Sequence, residues 1–256
     1  MKRWIATLLL TIITATFVFA QTEDDIPIPP KRSRAGKVGA FGGFTPGVLF
    51  VDVKPINEML VGAGAAGLKE DGVFLWGGGG AAYIMLIPNL RVGGLGMSGS
   101  ISSTMVDRFD VRKDAQLKVG FGGVTIEYVI PVVERLDVAV GTMIGGGGID
   151  IVLRQDAGGP KTWTKEWGNF GSGNYQLGPQ ITQIKRTLSG SYFMWIPSLN
   201  VEYSLLGWVG ARLGVSYVGM SAPSWTVDDN YELIGVPSKV SGRGVMINAG
   251  LFVGTF

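Results

Sequence analysis

Beyond residue 20 the chain holds no apolar stretch continuous enough for a helix to cross a bilayer, yet 46% of its residues are hydrophobic and 41 are glycine. In a membrane such a chain has one main solution, a sheet closed on itself, because closure pairs every strand edge internally. The opening "MKRWIATLLLTIITATFVFA" puts the chain on an export route. It has a basic start (Lys2, Arg3), an apolar run from Trp4, and small or β-branched residues at Val18 and Ala20. That pattern reads as a secretory signal peptide over residues 1–20, cleaved before Gln21. The competing reading, a single anchor helix from Trp4 to Ala20, is disfavoured because no basic stop-transfer cluster lies directly after it.

Loss of the leader removes Lys2 and Arg3, which leaves 20 basic residues against 20 acidic ones. A neutral chain lacks the basic surplus of a nucleic-acid binder. Cysteine is absent, which excludes disulfides, thiolate metal sites and a lipid-modified N-terminal cysteine. Histidine is absent too, which removes Ser-His and Cys-His hydrolases and zinc enzymes. No metal or cofactor is expected.

Residues 21–37, "QTEDDIPIPPKRSRAGK", mix charge with proline and carry no periodicity, so they read as a flexible periplasmic segment. Residues 38–256 read as one barrel domain. "VGAFGGFTPGVLF" is expected to be a first strand and then, at Pro46, the start of a loop. "DVKPINEMLVGAGAAG" suits a short helix near residues 55–64, with Asp52 as cap, Pro55 in the first turn, and Ile56, Met59, Leu60 and Ala63 on one face. Such a helix either lies on the rim or plugs the lumen.

From Val73 onward, glycine-rich apolar runs alternate with connections of two lengths. The short ones are "IPN" (87–89), "PVVER" (131–135) and "LLG" (205–207). The long ones are about 102–114, 151–189 and 221–241. Strict alternation of tight and long connections is the signature of an up-and-down barrel with short periplasmic turns and long external loops. Eight strands result: about 38–44, 73–86, 90–101, 117–130, 136–149, 190–204, 208–220 and 242–256.

Period-2 alternation is clearest near the short turns. Val209, Ala211, Leu213, Val215 and Tyr217 share one face, opposite Gly210, Arg212, Gly214 and Ser216. In "SLNVEYSL", Leu199, Val201, Tyr203 and Leu205 oppose Asn200, Glu202 and Ser204. The same alternation with its greasy face inward describes a soluble secreted β-barrel or sandwich that binds a small ligand, which stands as the second reading. At Gly122-Gly123 the apolar parity switches from Leu117, Val119 and Phe121 to Val124, Ile126, Tyr128 and Ile130, and a bulge there would restore a single outward face. "GGGG" at Gly77 and Gly145 fits strands that bend around a narrow barrel. "TIEYVI" and "NVEYSL", each before a short turn, read as a hairpin repeat.

Taken together, Val38 to Phe256 resembles the small bacterial outer-membrane β-barrels of the eight-stranded class. The resemblance implies residence in outer-membrane lipid and, through the terminal aromatic Phe256, recognition by the barrel-assembly machinery. Phe252 fits the alternation expected of such a last strand, whereas Gly254, Gly250 and Asn248 depart from it. Tyr83, Tyr128, Tyr203 and Trp208, close to the short turns, suit an interfacial aromatic girdle.

Five charges, Arg91, Glu127, Asp137, Glu202 and Arg212, lie opposite the local apolar face near short turns, so all are expected to point into one end of the lumen. Buried charges must be paired, and three acids beside two arginines suit an internal network that fills the barrel, with a polar constriction as the functional alternative. The same placement weighs against a carboxylate enzyme, which needs an open cleft between its acids. In the loops, Trp163, Trp167, Phe170, Tyr175 and Trp225 are candidates for contact with a ligand, glycan or surface partner. The Asp228-Asp229 pair is too sparse for a calcium site. The expectation is a non-enzymatic outer-membrane barrel serving structure, surface interaction or passage of small apolar molecules.

Overall fold

The computed structural model describes residues 39–156, 183–221 and 223–255. The leader, residues 21–37, Trp163, Trp167, Phe170, Tyr175 and Phe256 lie outside the described residues.

Eight staves close into a ring. Pro46, which lacks the N–H a ladder needs, divides the first stave into β1 (Ala40–Phe44) and β2 (Gly47–Val51), so the chain continues as strand where a loop was expected. The others are β3 (Val73–Tyr83), β4 (Leu90–Val106), β5 (Arg112–Val133), β6 (Leu136–Asp156), β7 (Gln183–Leu206), β8 (Val209–Met220) and β11 (Gly244–Gly254). Neighbours pair antiparallel, and β11 pairs back onto β1 and β2 to complete the circuit. A small hairpin, β9 (Ser224–Val227) and β10 (Tyr231–Glu232), is added to the outer end of β7.

The ring is strongly staggered. Register partners run from Leu90 through Tyr128, Val140, Leu199, Val215, Ile247 and Val48 to Phe74. Phe74 precedes the Leu75–Gly99 pair by one residue, so the circuit re-enters β4 at Ser100, ten residues from its start at Leu90. With eight staves that shear implies a strand tilt of about 40°.

The exterior is apolar. Val124, Ile126, Val140, Ile144, Leu199, Leu213, Val215, Val245, Ile247 and Leu251 are all exposed. Phe74, Trp76, Phe193, Trp195 and Tyr217 edge this band toward the loops, and Tyr128, Tyr203 and Trp208 edge it toward the turns. Along β7, Trp195 and Tyr203 are eight residues apart, about 20 Å along the axis at this rise and tilt. A band of that height with aromatic borders is close to the apolar band of about 25 Å that outer-membrane barrels present, and this is the fold of the small eight-stranded ones. Tyr83 is an exception to the expected girdle: its parity turns it inward, where it is buried opposite Arg91.

No bulge occurs at Gly122-Gly123, where the register of β5 with both neighbours runs on unbroken. Leu117, Val119 and Phe121 face inward and Val124, Ile126 and Tyr128 face outward. The parity switch therefore marks the height at which the lumen changes from apolar to polar. The outer half of the lumen holds one apolar cluster that includes Leu49, Leu75, Leu117, Ile149, Met194, Val218 and Met246. Helix α1 (Lys54–Gly62) closes this end, with Ile56 and Leu60 buried in the same cluster. Val53 occupies its N-cap without a side-chain cap; Asp52 instead accepts a hydrogen bond from the Lys54 amide at 3.1 Å. Ser103 and Lys113 tie the segment after the helix to β4 and β5 by bonding the carbonyls of Ala66 and Ala63, at 2.7 and 2.8 Å.

The interior is narrow enough for glycine to matter at defined positions. A Cβ on Gly145 would collide with the Gly122 carbonyl oxygen on the neighbouring strand, whereas one on Gly207, in a turn, would meet nothing. Gly145→Val should abolish the compact unboiled species in gel migration, and Gly207→Val should preserve it.

Three strands, β5, β6 and β7, have 22, 21 and 24 residues, about twice what a tilted strand needs to cross a bilayer. The hairpin leans on this extension. Its turn residues Asp228 and Asp229 have φ of 51° and 59°, the left-handed pair that a tight hairpin turn requires. The Asp228 carboxylate accepts the Thr187 amide at 2.9 Å and also binds Arg186. These two bonds hold its carboxyl below the usual carboxylate range. A depressed carboxyl contributes its stabilisation above its unfolded pKa and loses it as pH falls through the folded value. Asp228→Ala should therefore speed amide exchange at Thr187 at neutral pH, and acidification well below the carboxylate range should erase the difference from wild type.

Candidate functional site

The short turns place charges at one end of the lumen because residues near a hairpin turn share height, and parity points them all inward. Arg91 on β4 is 1% exposed and lies opposite Glu127 on β5. Asp137 on β6 pairs in register with Glu202 on β7, which pairs with Arg212 on β8. Five charges from five consecutive staves thus meet in one layer.

Arg91 is at the centre. Its Nε donates to Glu127 Oε2 at 2.7 Å, its Nη1 to Glu202 Oε2 at 2.8 Å, and its Nη2 to Glu202 Oε1. Its planar fork is thereby held bidentate by one carboxylate and from the side by another, the geometry for which arginine is suited. Arg212 approaches the same two acids, at 3.5 Å from Glu127 and 2.7 Å from Glu202. Asn200 donates to Glu127 Oε1 at 3.0 Å. Asp137 is buried at the same end, within electrostatic range of Tyr83.

Several partners were not singled out from sequence. The Phe41 ring lies 4.9 Å from the Arg91 guanidinium carbon and 5.4 Å from that of Arg212, so both cations pack against one aromatic ring. Phe252 extends that surface, packing on Phe41 at 5.0 Å. Inward parity is the signal for all of these: Asn200 precedes Glu202 by two, and Phe41 and Phe252 share one end of paired strands. The repeat "TIEYVI" and "NVEYSL" now has a physical content, since its two glutamates grip the same arginine.

Above the charges a cavity of about 50 Å³ is lined by Thr125, Ser198, Asn200, Ser216 and Asn248 among others. That volume admits a few waters and no larger ligand. Trp225, a contact candidate from sequence, is instead buried at 7% exposure with its indole packed over Gly190, because its connection folds into the β9–β10 hairpin.

No protein-family model matches the chain, and no curated protein matches it. Among solved structures it is similar to Ail, the attachment invasion locus protein of Yersinia pestis, solved alone and in complex with the heparin analogue sucrose octasulfate. The complex is 9% identical with a TM-score of 0.35, covering 86% of this chain and 96% of that one. The structure of Ail alone has a TM-score of 0.32 at the same identity and coverage. It is also similar to the outer membrane protease OmpT from Escherichia coli, at 10% identity and a TM-score of 0.30, covering 90% of this chain and 99% of that one.

Breaking a buried ion cluster on one side leaves uncompensated charge. Arg91→Met should destabilise the barrel by about 3–5 kcal/mol in urea unfolding followed by tryptophan fluorescence. Arg91→Met with Glu127→Gln, which leaves Glu202 paired with Arg212, should recover most of that loss.

Proposed function

We propose that this chain is a non-enzymatic, non-conducting outer-membrane barrel whose extended β5–β7 wall presents a platform for surface interaction. The observation that carries this reading is a lumen blocked at two heights, by an apolar cluster under α1 at the loop end and by the Arg91 ion cluster at the turn end. Ion passage requires a continuous aqueous path, and a cavity of about 50 Å³ between these two blocks provides none. Passage of small apolar molecules along the axis meets the same charged layer.

Catalysis finds little support in the same cluster. Glu127 and Glu202 are both engaged by arginine, and neither faces an open cleft. With no histidine in the chain, no neutral base stands beside them.

The outer-membrane assignment rests on the leader and on an apolar band of bilayer height. The surface role rests on three strands that continue far past that band, with outward Lys118, Asp150 and Arg154 replacing the aliphatic residues below them. Purified protein in planar bilayers should leave conductance at the lipid background. Protease added to intact cells should cut only within residues 157–182 and the other loop-end connections. Discrete channel openings, or cuts confined to the turns, would overturn this reading.

A further inference from the structure

A second cavity lies in the mouth, separate from the ion cluster. It has a volume of about 260 Å³ and lies between α1 and the inner wall of β5, β6 and β7. Met59 and Leu60 form its helix side, and Ala115, Ile151, Leu153 and Leu188 form its strand side. Its floor is closed, because Leu117, Val119 and Ile149 are buried directly below. The cavity is therefore a blind apolar pocket, roomy enough for a hydrocarbon chain and open only outward.

Its rim carries positive charge. Lys113 points inward and its ammonium is held at the rim by the Ala63 carbonyl, a neutral acceptor. Arg154 borders the opening from the outward face of β6, beside its register partner Asp114. The Asp114 carboxylate is already engaged by Arg112 and Thr104. An apolar pocket with an inward ammonium at its mouth is complementary to one chemical class, a single hydrocarbon chain ending in an anionic head.

We propose that this pocket binds a single-chain anionic amphiphile of the fatty-acid type, with its chain between Leu60 and Leu153 and its carboxylate on Lys113. Binding from outside into a blind pocket is capture or sensing at the cell surface, not transport. It adds a ligand to the platform role and does not require the lumen to open.

The test uses the full chain in phosphatidylcholine nanodiscs and radiolabelled dodecanoate, with empty nanodiscs as the background. Saturable binding above that background is expected. Unlabelled dodecanoate should displace it, and dodecyltrimethylammonium should do so far less well. Lys113→Glu should weaken binding about tenfold or more, the scale of one charge-assisted hydrogen bond. Met59→Trp, at a half-exposed position, should fill the pocket and abolish binding, with retention of the compact unboiled species showing that the barrel is intact.

The proposal is overturned if binding does not exceed empty nanodiscs, if the cationic chain competes equally, or if Met59→Trp folds and binds normally. It is also overturned if dodecanoate binds only after deletion of residues 160–180, because the pocket's occupant is then the chain itself.

Discussion

Hydrocarbon offers no hydrogen bonds, and that one constraint organises this barrel. Each N–H and C=O at the height of the apolar band must find its partner in a neighbouring strand, so the sheet has no tolerable edge and must close. Eight staves and a shear of ten residues satisfy the requirement, and the resulting tilt brings backbones close together on the inside. Glycine at Gly145 follows from this closeness, since the Gly122 carbonyl occupies the space its side chain would need. Even the interruption at Pro46 is placed where the ladder resumes at once on both sides.

Closure at this diameter leaves an interior that side chains must fill. The outer half is filled with apolar residues and covered by α1, whereas the inner half is filled with charge. An ion cluster is a costly filling, because two guanidinium groups and two carboxylates must leave water, and only near-complete mutual bonding offsets the loss. The bidentate grip on Arg91 and the support of both arginines by Phe41 provide that bonding. Because Arg91, Glu127, Glu202 and Arg212 come from four different staves, the cluster also specifies register, as a one-residue slip would turn a charge into lipid. The apolar mouth and the charged base therefore differ in consequence: the base holds the strands in register and blocks the axis, while the mouth presents a blind apolar pocket to the outside.

Much of this was legible in the sequence, and the exceptions have definite causes. The alternation of short and long connections from Val73 onward locates seven staves, the first is legible only as far as Phe44, and period-2 parity turns all five charges inward. The Leu117-to-Val124 parity switch suggests a bulge only if the lumen is polar throughout. A lumen whose outer half is apolar needs no bulge, and nothing local distinguishes the two cases. Distance from a turn places Tyr83 at the interface, but its parity with Arg91 across the hairpin makes it internal. A long connection suggests an exposed Trp225, yet that connection folds back as a hairpin and the indole is buried. The apolar pocket of the mouth draws on α1 and three strands remote in sequence, so no local pattern announces it.

The odd positions of β8 face hydrocarbon while its even positions face the interior. Nitroxide labels placed singly from Val209 to Val218, in protein reconstituted in lipid, test this through collision with oxygen, which concentrates in hydrocarbon, and with a water-soluble nickel chelate. High oxygen collision at Val209, Ala211, Leu213, Val215 and Tyr217, with low collision to both reagents at Arg212, Ser216 and Val218, is the predicted result. Strong nickel collision at the odd positions, or an inverted period, would contradict this orientation.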